Sequence, residues 1–394
     1  MSPAIPVAEL RRAPGWAPRV MVSCGEASGD LYAAALTREL QQLAPGVEVF
    51  GFGGGRLASA GAELLDDYTR YAVTGLSEAL AVLPRSWRLL RRLEREAAAR
   101  RPDVFVAIDF PDFNFRLLPA IAKLGVPIVY YISPQLWAWR PGRIEVLRRY
   151  VSKMLVIFPF ETAMYEERAI PVEFVGHPLI DLARSSVDRA TWLSSLGLDP
   201  ARPVLALLPG SRPNEVERLL PVLTAALPRI ASRVPGLQAL VARAPSLPDE
   251  LFAEVASAPS VRVVTDATDD VLAAADAVVT ASGTATVQTA LHGRPMVIVY
   301  RLSQLTYRIG RAFVKLPHYG MVNLIAGRQV VPELIQDACT PDSVADAVVP
   351  LLIDAALSTR VRADLAAVRE RLGGPGASRR AAEAVLAAAQ SPRR

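Results

Sequence analysis

Four turns in this sequence carry side chains suited to a hydroxylated, anionic substrate. The first, Gly25-Glu26-Ala27-Ser28-Gly29-Asp30, joins two glycines, which let a backbone approach a ligand closely, to two carboxylates and a hydroxyl. Its acids disfavour pyrophosphate and suit sugar hydroxyls, although Ser28 or Asp30 can also cap a following helix in an ordinary strand-to-helix turn. The second is Ile108-Asp109-Phe110-Pro111-Asp112-Phe113-Asn114, where Pro111 stiffens the loop between two carboxylates. Asp112 or Asn114 can serve as a helix cap, whereas Asp109, at the end of an apolar run, is placed to take a proton from a hydroxyl. In the third, Leu208-Pro209-Gly210-Ser211-Arg212, backbone N–H groups and a guanidinium are offered to phosphate. The fourth, Ser282-Gly283-Thr284-Ala285-Thr286, has the Gly-Thr start of a helix that binds anions through donors and dipole together. Either of the last two recurs in unrelated α/β proteins; both in one domain read as a nucleotide diphosphate site.

Other chemistries find little support. His177, His292 and His318 are too scattered in sequence for a metal cluster, no Walker A lysine motif occurs, and no GxSxG elbow supports a serine hydrolase. The expected activity therefore uses no metal and no cofactor.

Positioning these turns requires strands that end just before them. Val- and Ile-rich runs at Arg19–Ser23, Val47–Gly51, Val104–Ile108, Ile128–Ile132, Met154–Phe158 and Val172–Val175 alternate with helical patterns such as Ser86–Ala99. The alternation restarts at Val204–Leu208 and continues through Leu237–Ala242, Val261–Thr265, Ala277–Thr280 and Met296–Tyr300. Apolar strands separated by helices predict parallel sheets covered on both faces, with ligand sites at the strands' carboxyl ends. The reading is α/β with two Rossmann-like domains, 1–182 and 183–394, facing each other across a cleft. The helical stretch from Ser343 to about Gln390 is broken at Gly373-Gly374-Pro375, and its final helices can return to the first domain.

Composition narrows the class. The 394 residues carry 44 Lys and Arg against 39 Asp and Glu, a net charge of +5, and 51% are hydrophobic, the balance of a packed globular chain. The cysteines, Cys24 and Cys339, form no CxxC pair, which suits a reducing, cytoplasmic compartment. The opening segment lacks the apolar core of a signal peptide, and no run of about 18 apolar residues suggests a membrane span. Almost all basic residues are arginine, which suits phosphate as well as a GC-rich codon bias. No nucleic-acid-binding module is recognised, so nucleic acid is not an expected partner.

Seven motifs in order resemble lipid-A-disaccharide synthase, a family of GT-B glycosyltransferases. They are the four turns above together with Ser133-Pro134-Gln135-Leu136-Trp137-Ala138-Trp139-Arg140, Gly176-His177-Pro178-Leu179 and Asn323-Leu324-Ile325-Ala326-Gly327-Arg328. The likeness runs from about Val20 to Glu333 and weakens beyond. It implies GT-B architecture and inverting transfer of 2,3-diacylglucosamine from UDP to the 6-hydroxyl of 2,3-diacylglucosamine 1-phosphate, giving a β-1,6 disaccharide 1-phosphate and UDP. It further implies Asp109 as general base, with Glu26 and Asp112 supporting it. Ser28, Asp30, Asn114, Gln135, Trp137, Arg140 and His177 then fall among the substrate contacts. Gly210, Ser211, Arg212, Ser282, Gly283 and Thr284 would hold the UDP diphosphate, and Gln288 and Asn323 would line the donor site.

The chain departs from that pattern in three places. Gln288 stands where such transferases usually place a glutamate accepting from the ribose hydroxyls, and a neutral acceptor implies weaker nucleotide binding. Met321-Val322-Asn323 replaces the more frequent Leu-Pro-Asn, and the first 18 or so residues match nothing in the family. A MurG-like transferase or a UDP-N-acetylglucosamine 2-epimerase shares the diphosphate site but not the Asp109–Asn114 and Ser133–Arg140 blocks. A non-catalytic nucleotide-sugar binder fits Gln288 but makes Asp109 incidental.

Acylated substrates imply contact with an anionic membrane surface, peripherally on the cytoplasmic face of the inner membrane. Arg85–Arg101 interleaves arginines with Trp87, Leu89, Leu90 and Leu93, and Ala277–Pro332 holds basic residues but no acidic one. A helix packed on its sheet with a solvated arginine face explains the first segment equally well. The resemblance also leaves open a homodimer that exchanges C-terminal segments.

Overall fold

The computed structural model describes residues 17–71, 76–136, 141–302 and 318–391. The chain folds as two compact units, one running to Pro178 and resuming at Leu372, the other spanning Leu179–Arg371. The division lies at Pro178/Leu179 rather than at the expected 182/183. The short helix Leu179–Leu182 packs on the helix Thr284–Leu291 and so belongs to the second unit. At the other end, the helix Ala377–Ala389 buries Ala381, Ala382, Val385 and Leu386 and lies against the helix Ala27–Leu43 of the first unit.

The first unit contains β1 (Arg19–Cys24), β2 (Glu48–Gly53), β3 (Glu63–Asp67), β4 (Val104–Ile108), β5 (Ile128–Tyr131), β6 (Lys153–Val156) and β7 (Val172–Phe174). They form one sheet in the order β3-β2-β1-β4-β5-β6-β7, parallel throughout. The second unit contains β8 (Val204–Leu208), β9 (Gln238–Arg243), β10 (Val261–Thr265), β11 (Ala277–Ala281), β12 (Met296–Tyr300) and β13 (Glu333–Ile335). Their order is β10-β9-β8-β11-β12-β13, again parallel. Every residue of the central strands β4, β8 and β11 is buried, because helices cover both faces and leave no room for polar alternation.

Two strands escape the sequence reading, and both are sheet edges. β3 reads Glu-Leu-Leu-Asp-Asp and β13 has only three residues. Short or charged strands are how parallel sheets terminate without inviting further pairing.

The strand orders decide where ligands go. In each sheet the order reverses once, between β1 and β4 and between β8 and β11, and connections leaving there in opposite directions open a crevice at the carboxyl ends. Register places Cys24 beside Ile108 and Leu208 beside Thr280. The turns beginning at Gly25 and Asp109 therefore flank one crevice, and those containing Gly210 and Gly283 flank the other. No helix among the described residues is long and apolar enough to cross a membrane.

Candidate active site

Strain marks the first crevice. Asp109 and Phe110 both lie in the left-handed region, at φ 44° and 48°, and so does Ile132 just after β5, at φ 66°. Residues with side chains rarely adopt that region, least of all β-branched ones, and such strain persists only where surrounding structure over-determines it. The restraints are visible at Asp109. Its carbonyl accepts from the Tyr130 hydroxyl at 2.7 Å and from Asn114 Nδ2 at 2.8 Å, while its amide donates to the Tyr131 carbonyl at 3.2 Å. Asn114 is fully buried and is itself anchored to β1, accepting from Ser23 Oγ at 2.7 Å and donating to the Ser23 carbonyl at 3.3 Å. These bonds fix the backbone of Asp109 and leave its half-buried carboxyl at the strand end.

The glycine at the end of β1 is explained by the same turn. A Cβ on Gly25 would fall 2.3 Å from the Phe110 ring, so the ring rests directly on that backbone. Phe110 stacks on Phe113 at 5.7 Å between centroids, and Phe113 packs against Phe52. Glu26, half-buried, occupies the N-cap position of the helix Ala27–Leu43 with extended backbone and makes no side-chain cap bond, and Ser28 lies half-buried in its first turn.

Several residues expected to touch substrate serve the fold instead. Asp30 is 2% exposed, and its carboxylate accepts from the backbone amides of Gly54, Arg56 and Leu57 at 2.8, 3.0 and 3.1 Å. It caps the helix Gly55–Ser59 across the chain, which removes it from the ligand contacts. Asn114 holds the Asp109 turn as described. Asp112 is exposed and pairs with Arg143 at 2.8 Å, in the first turn of the helix Pro111–Lys123, where a negative charge meets the helix dipole favourably. His177 is buried beside the edge of Tyr32 and the ring of Phe158, and burial pushes its pKa down to about 3, so the imidazole is neutral. Its turn is stapled by the returning chain: its amide donates to the Leu372 carbonyl at 2.9 Å, and Arg380 Nε donates to the Val175 carbonyl at 2.9 Å. Gln135 is exposed after β5, and Trp137 and Arg140 lie outside the described residues.

Tyrosines are what the sequence reading missed here. Tyr32, Tyr130 and Tyr131 are buried, and burial with Asp109 nearby raises the phenol pKa of both Tyr32 and Tyr130. Inside an apolar strand pattern, Tyr130-Tyr131 reads as core; only the parallel pairing of β4 with β5 brings a hydroxyl to the Asp109 carbonyl.

The second crevice has an anion-binding form. Gly283, at φ 147°, is the N-cap of the helix Thr284–Leu291, makes no side-chain cap bond, and has open space where a Cβ would stand. Gly283 and Thr284 are exposed, so the helix start faces outward. Ser282 Oγ donates to the Tyr319 carbonyl at 3.1 Å and tethers that neighbouring loop. In the other turn Gly210 adopts φ 126°, and Glu215 fills the space beside it, accepting from the Ser211 amide at 3.2 Å and lying 3.6 Å from the exposed Arg212. Burial together with Glu215 raises the phenol pKa of Tyr300, while Arg212 opposes the shift. The spacing of Arg212 and Glu215, three residues apart at a helix start, was the available signal for this pair.

Asn323 does not line an open site. It is fully buried, accepts from the amides of Val330 and Val331 at 2.7 and 3.1 Å, and donates to the Val331 carbonyl and to Glu333 Oε1 at 2.9 and 2.7 Å. Glu333 in turn accepts from the Tyr319 and Gly320 amides at 2.8 and 2.9 Å. Asn323 and Glu333 thus shape the loops beside β12. Gln288 is half-buried in the second turn of its helix and donates to Asp269 Oδ1 at 2.8 Å.

Two parallel α/β units, each with its strand order reversing once, are the architecture of the GT-B fold class. Within that class the family is settled by similarity: residues 20–388 match the family model for lipid-A-disaccharide synthetase. The lipid-A-disaccharide synthases of Koribacter versatilis and Geobacter sulfurreducens are 45% and 44% identical over 382 and 370 residues, covering 94% and 93% of this chain and 99% and 96% of theirs. The chain belongs to the lipid-A-disaccharide synthase family and is a lipid A disaccharide-forming glycosyltransferase. Among solved structures, a UDP-GlcNAc 2-epimerase from Neisseria meningitidis bound to UDP-GlcNAc shares the fold at TM-score 0.65 and 11% identity, covering 94% of this chain and all of that one. At that identity the likeness speaks for the fold alone, so it lends the epimerase reading no weight against the family match.

Proposed function

We propose that Asp109 is the general base of this transfer. In this reading Asp109 takes the proton of the acceptor 6-hydroxyl as that oxygen attacks C1 of the UDP-bound 2,3-diacylglucosamine. The C1–O bond to the diphosphate breaks on the opposite face, so the configuration inverts to the β-1,6 linkage, and the electron pair leaves with UDP. The observation that supports it is the restrained, left-handed strand end at Asp109, clamped by Tyr130 and Asn114. A fixed base of this kind contributes about 10²–10⁴-fold in rate.

The first unit is the acceptor side, with Glu26, Ser28 and Gln135 as substrate contacts beside Asp109; Asp112 steadies the loop through Arg143. His177 supports its turn from behind as a buried, neutral ring. The second unit is the donor side. Arg212 and the turns at Gly210-Ser211 and Ser282-Gly283-Thr284 stabilise the charge that grows on the departing diphosphate, which is where preorganised donors act most strongly. The test is UDP release from the diacylated donor, measured with and without diacylglucosamine 1-phosphate. Acceptor-dependent release with disaccharide formed supports the reading; release without disaccharide contradicts it.

Membrane attachment is peripheral and rests on a narrower surface than the sequence suggested. In the helix Leu76–Arg100, Leu89, Leu90 and Leu93 are buried in the core, which leaves Trp87, 54% exposed, among outward arginines, with Arg91 lying 5.0 Å over its ring. An amphipathic indole with basic neighbours suits the headgroup layer of an anionic membrane. Retention of the protein in the soluble fraction during flotation with anionic vesicles at low salt contradicts this. A homodimer by exchange of the Ala377–Ala389 helix is tested by light scattering.

A further inference from the structure

Gln288 does not stand alone in the second unit. It lies four residues after Thr284, about one turn further along the same helix face and about 6 Å from the helix start. Asp269, in the first turn of the helix Thr268–Ala274, accepts at a single oxygen from Gln288 Nε2 at 2.8 Å and from His292 Nε2 at 2.7 Å. His292 follows the Thr284–Leu291 helix directly, and its amide donates to the Gln288 carbonyl at 3.2 Å. The Asp269 and His292 side chains are 27% and 10% exposed, so water screens the cluster only in part.

A primary amide has two faces of opposite hydrogen-bonding sense, and in isolation it turns either one toward a ligand. Beside an ionised carboxylate that freedom is lost, because the carboxylate only accepts. Asp269 must receive the NH₂ edge of Gln288, and Oε1 is thereby directed away from it. The same logic sets His292 in the tautomer that carries its proton on Nε2. We infer that Asp269 is a positioning residue that holds Gln288 as an acceptor, making the helix face next to the diphosphate cradle selective for a ligand with free sugar hydroxyls. The inference rests on the donor-side reading above and extends it to the nucleoside: the uncharged Gln288 is given a fixed polarity, and a nearby negative charge, by Asp269.

Calorimetric titration of the full chain with UDP and with 2′,3′-dideoxy-UDP reads this directly. One hydrogen bond gained from a hydroxyl corresponds to a preference for UDP of roughly tenfold. Asp269→Asn presents either edge of its own amide, releases Gln288, and is expected to reduce that preference to about twofold, with little change in affinity for the dideoxy compound. Gln288→Ala is expected to remove the preference, and adding Asp269→Asn to it should change nothing further, since Asp269 acts through Gln288. If Asp269→Asn folds poorly, the reciprocal Asp269→Asn/Gln288→Glu pair restores a carboxylate–amide contact and should recover the preference. Wild-type protein that binds UDP but does not distinguish the dideoxy compound overturns the inference and leaves the donor-side reading standing. Wild-type protein that binds neither overturns both. A preference unchanged in Asp269→Asn, or an additive loss in the double variant with Gln288→Ala, also overturns it.

Discussion

Asn114→Asp changes one atom of the clamp on Asp109 and leaves the volume alone. Ser23 Oγ still finds an acceptor at 2.7 Å, but the atom facing the Asp109 carbonyl at 2.8 Å and the Ser23 carbonyl at 3.3 Å changes from a donor to an oxygen. At a site with 0% exposure, an ionised carboxylate facing two carbonyls is relieved only by binding a proton. An upward shift of about 2–3 units from a normal aspartate value of about 3.9 is typical of such burial, and it corresponds to about 3–4 kcal/mol. The folded-state pKa is the raised one, so the penalty is absent below about pH 4, accumulates as pH rises toward about 6–7, and is constant above. At pH 8 the first unit should melt about 6–15 °C below wild type, and by pH 4.5 most of the difference should be gone, because the protonated acid restores one donor toward the two carbonyls that the amide served. Scanning calorimetry at the two pH values checks this. An unchanged melting temperature at pH 8, or a deficit that widens on acidification, refutes the clamp as described.

Acidification should also act through His177. Its folded-state pKa of about 3 lies below its ordinary 6.5, so protons favour the unfolded chain as pH falls through that interval, and stability should drop by about 1.4 kcal/mol per pH unit there; His177→Phe should flatten the dependence in denaturant titrations. Gly25→Ala forces the Phe110 ring to move and should cost about 1–3 kcal/mol together with a marked loss of turnover, seen by thermal melts and steady-state rates. Arg212→Ala removes a charged donor from the diphosphate turn and should weaken UDP binding by roughly 10- to 100-fold without changing the acceptor KM.

What could be read from the residues followed how local each feature is. The place of Asp109 at a strand end was legible because a carboxylate ends an apolar run and Pro111 opens the next helix, both within a few positions. Its strained backbone was not, since neither Asp109 nor Phe110 is a glycine and the restraint comes from Ser23, Asn114 and Tyr130 on three different elements. Polar residues in turns were the harder class: Asp30 and Asn323 look like ligand contacts by type and place. Whether they face a ligand or a backbone is decided by segments 24 to 27 and seven to ten residues away, respectively. Leucines 89, 90 and 93 gave the correct helix period, and the period alone does not say whether sheet or membrane receives that face. Parallel alternation was enough for two Rossmann-like sheets, while the edge strands β3 and β13 lacked the length or apolar character that reveals a strand.

The role of Asp109 is tested most directly by Asp109→Asn, assayed in single turnover with saturating donor and acceptor and by UDP titration. The amide keeps the shape of the side chain but cannot accept the hydroxyl proton at neutral pH. The predicted result is a rate lower by about 10²–10⁴-fold with UDP affinity unchanged. Turnover close to wild type, with UDP binding intact, would contradict Asp109 as the base.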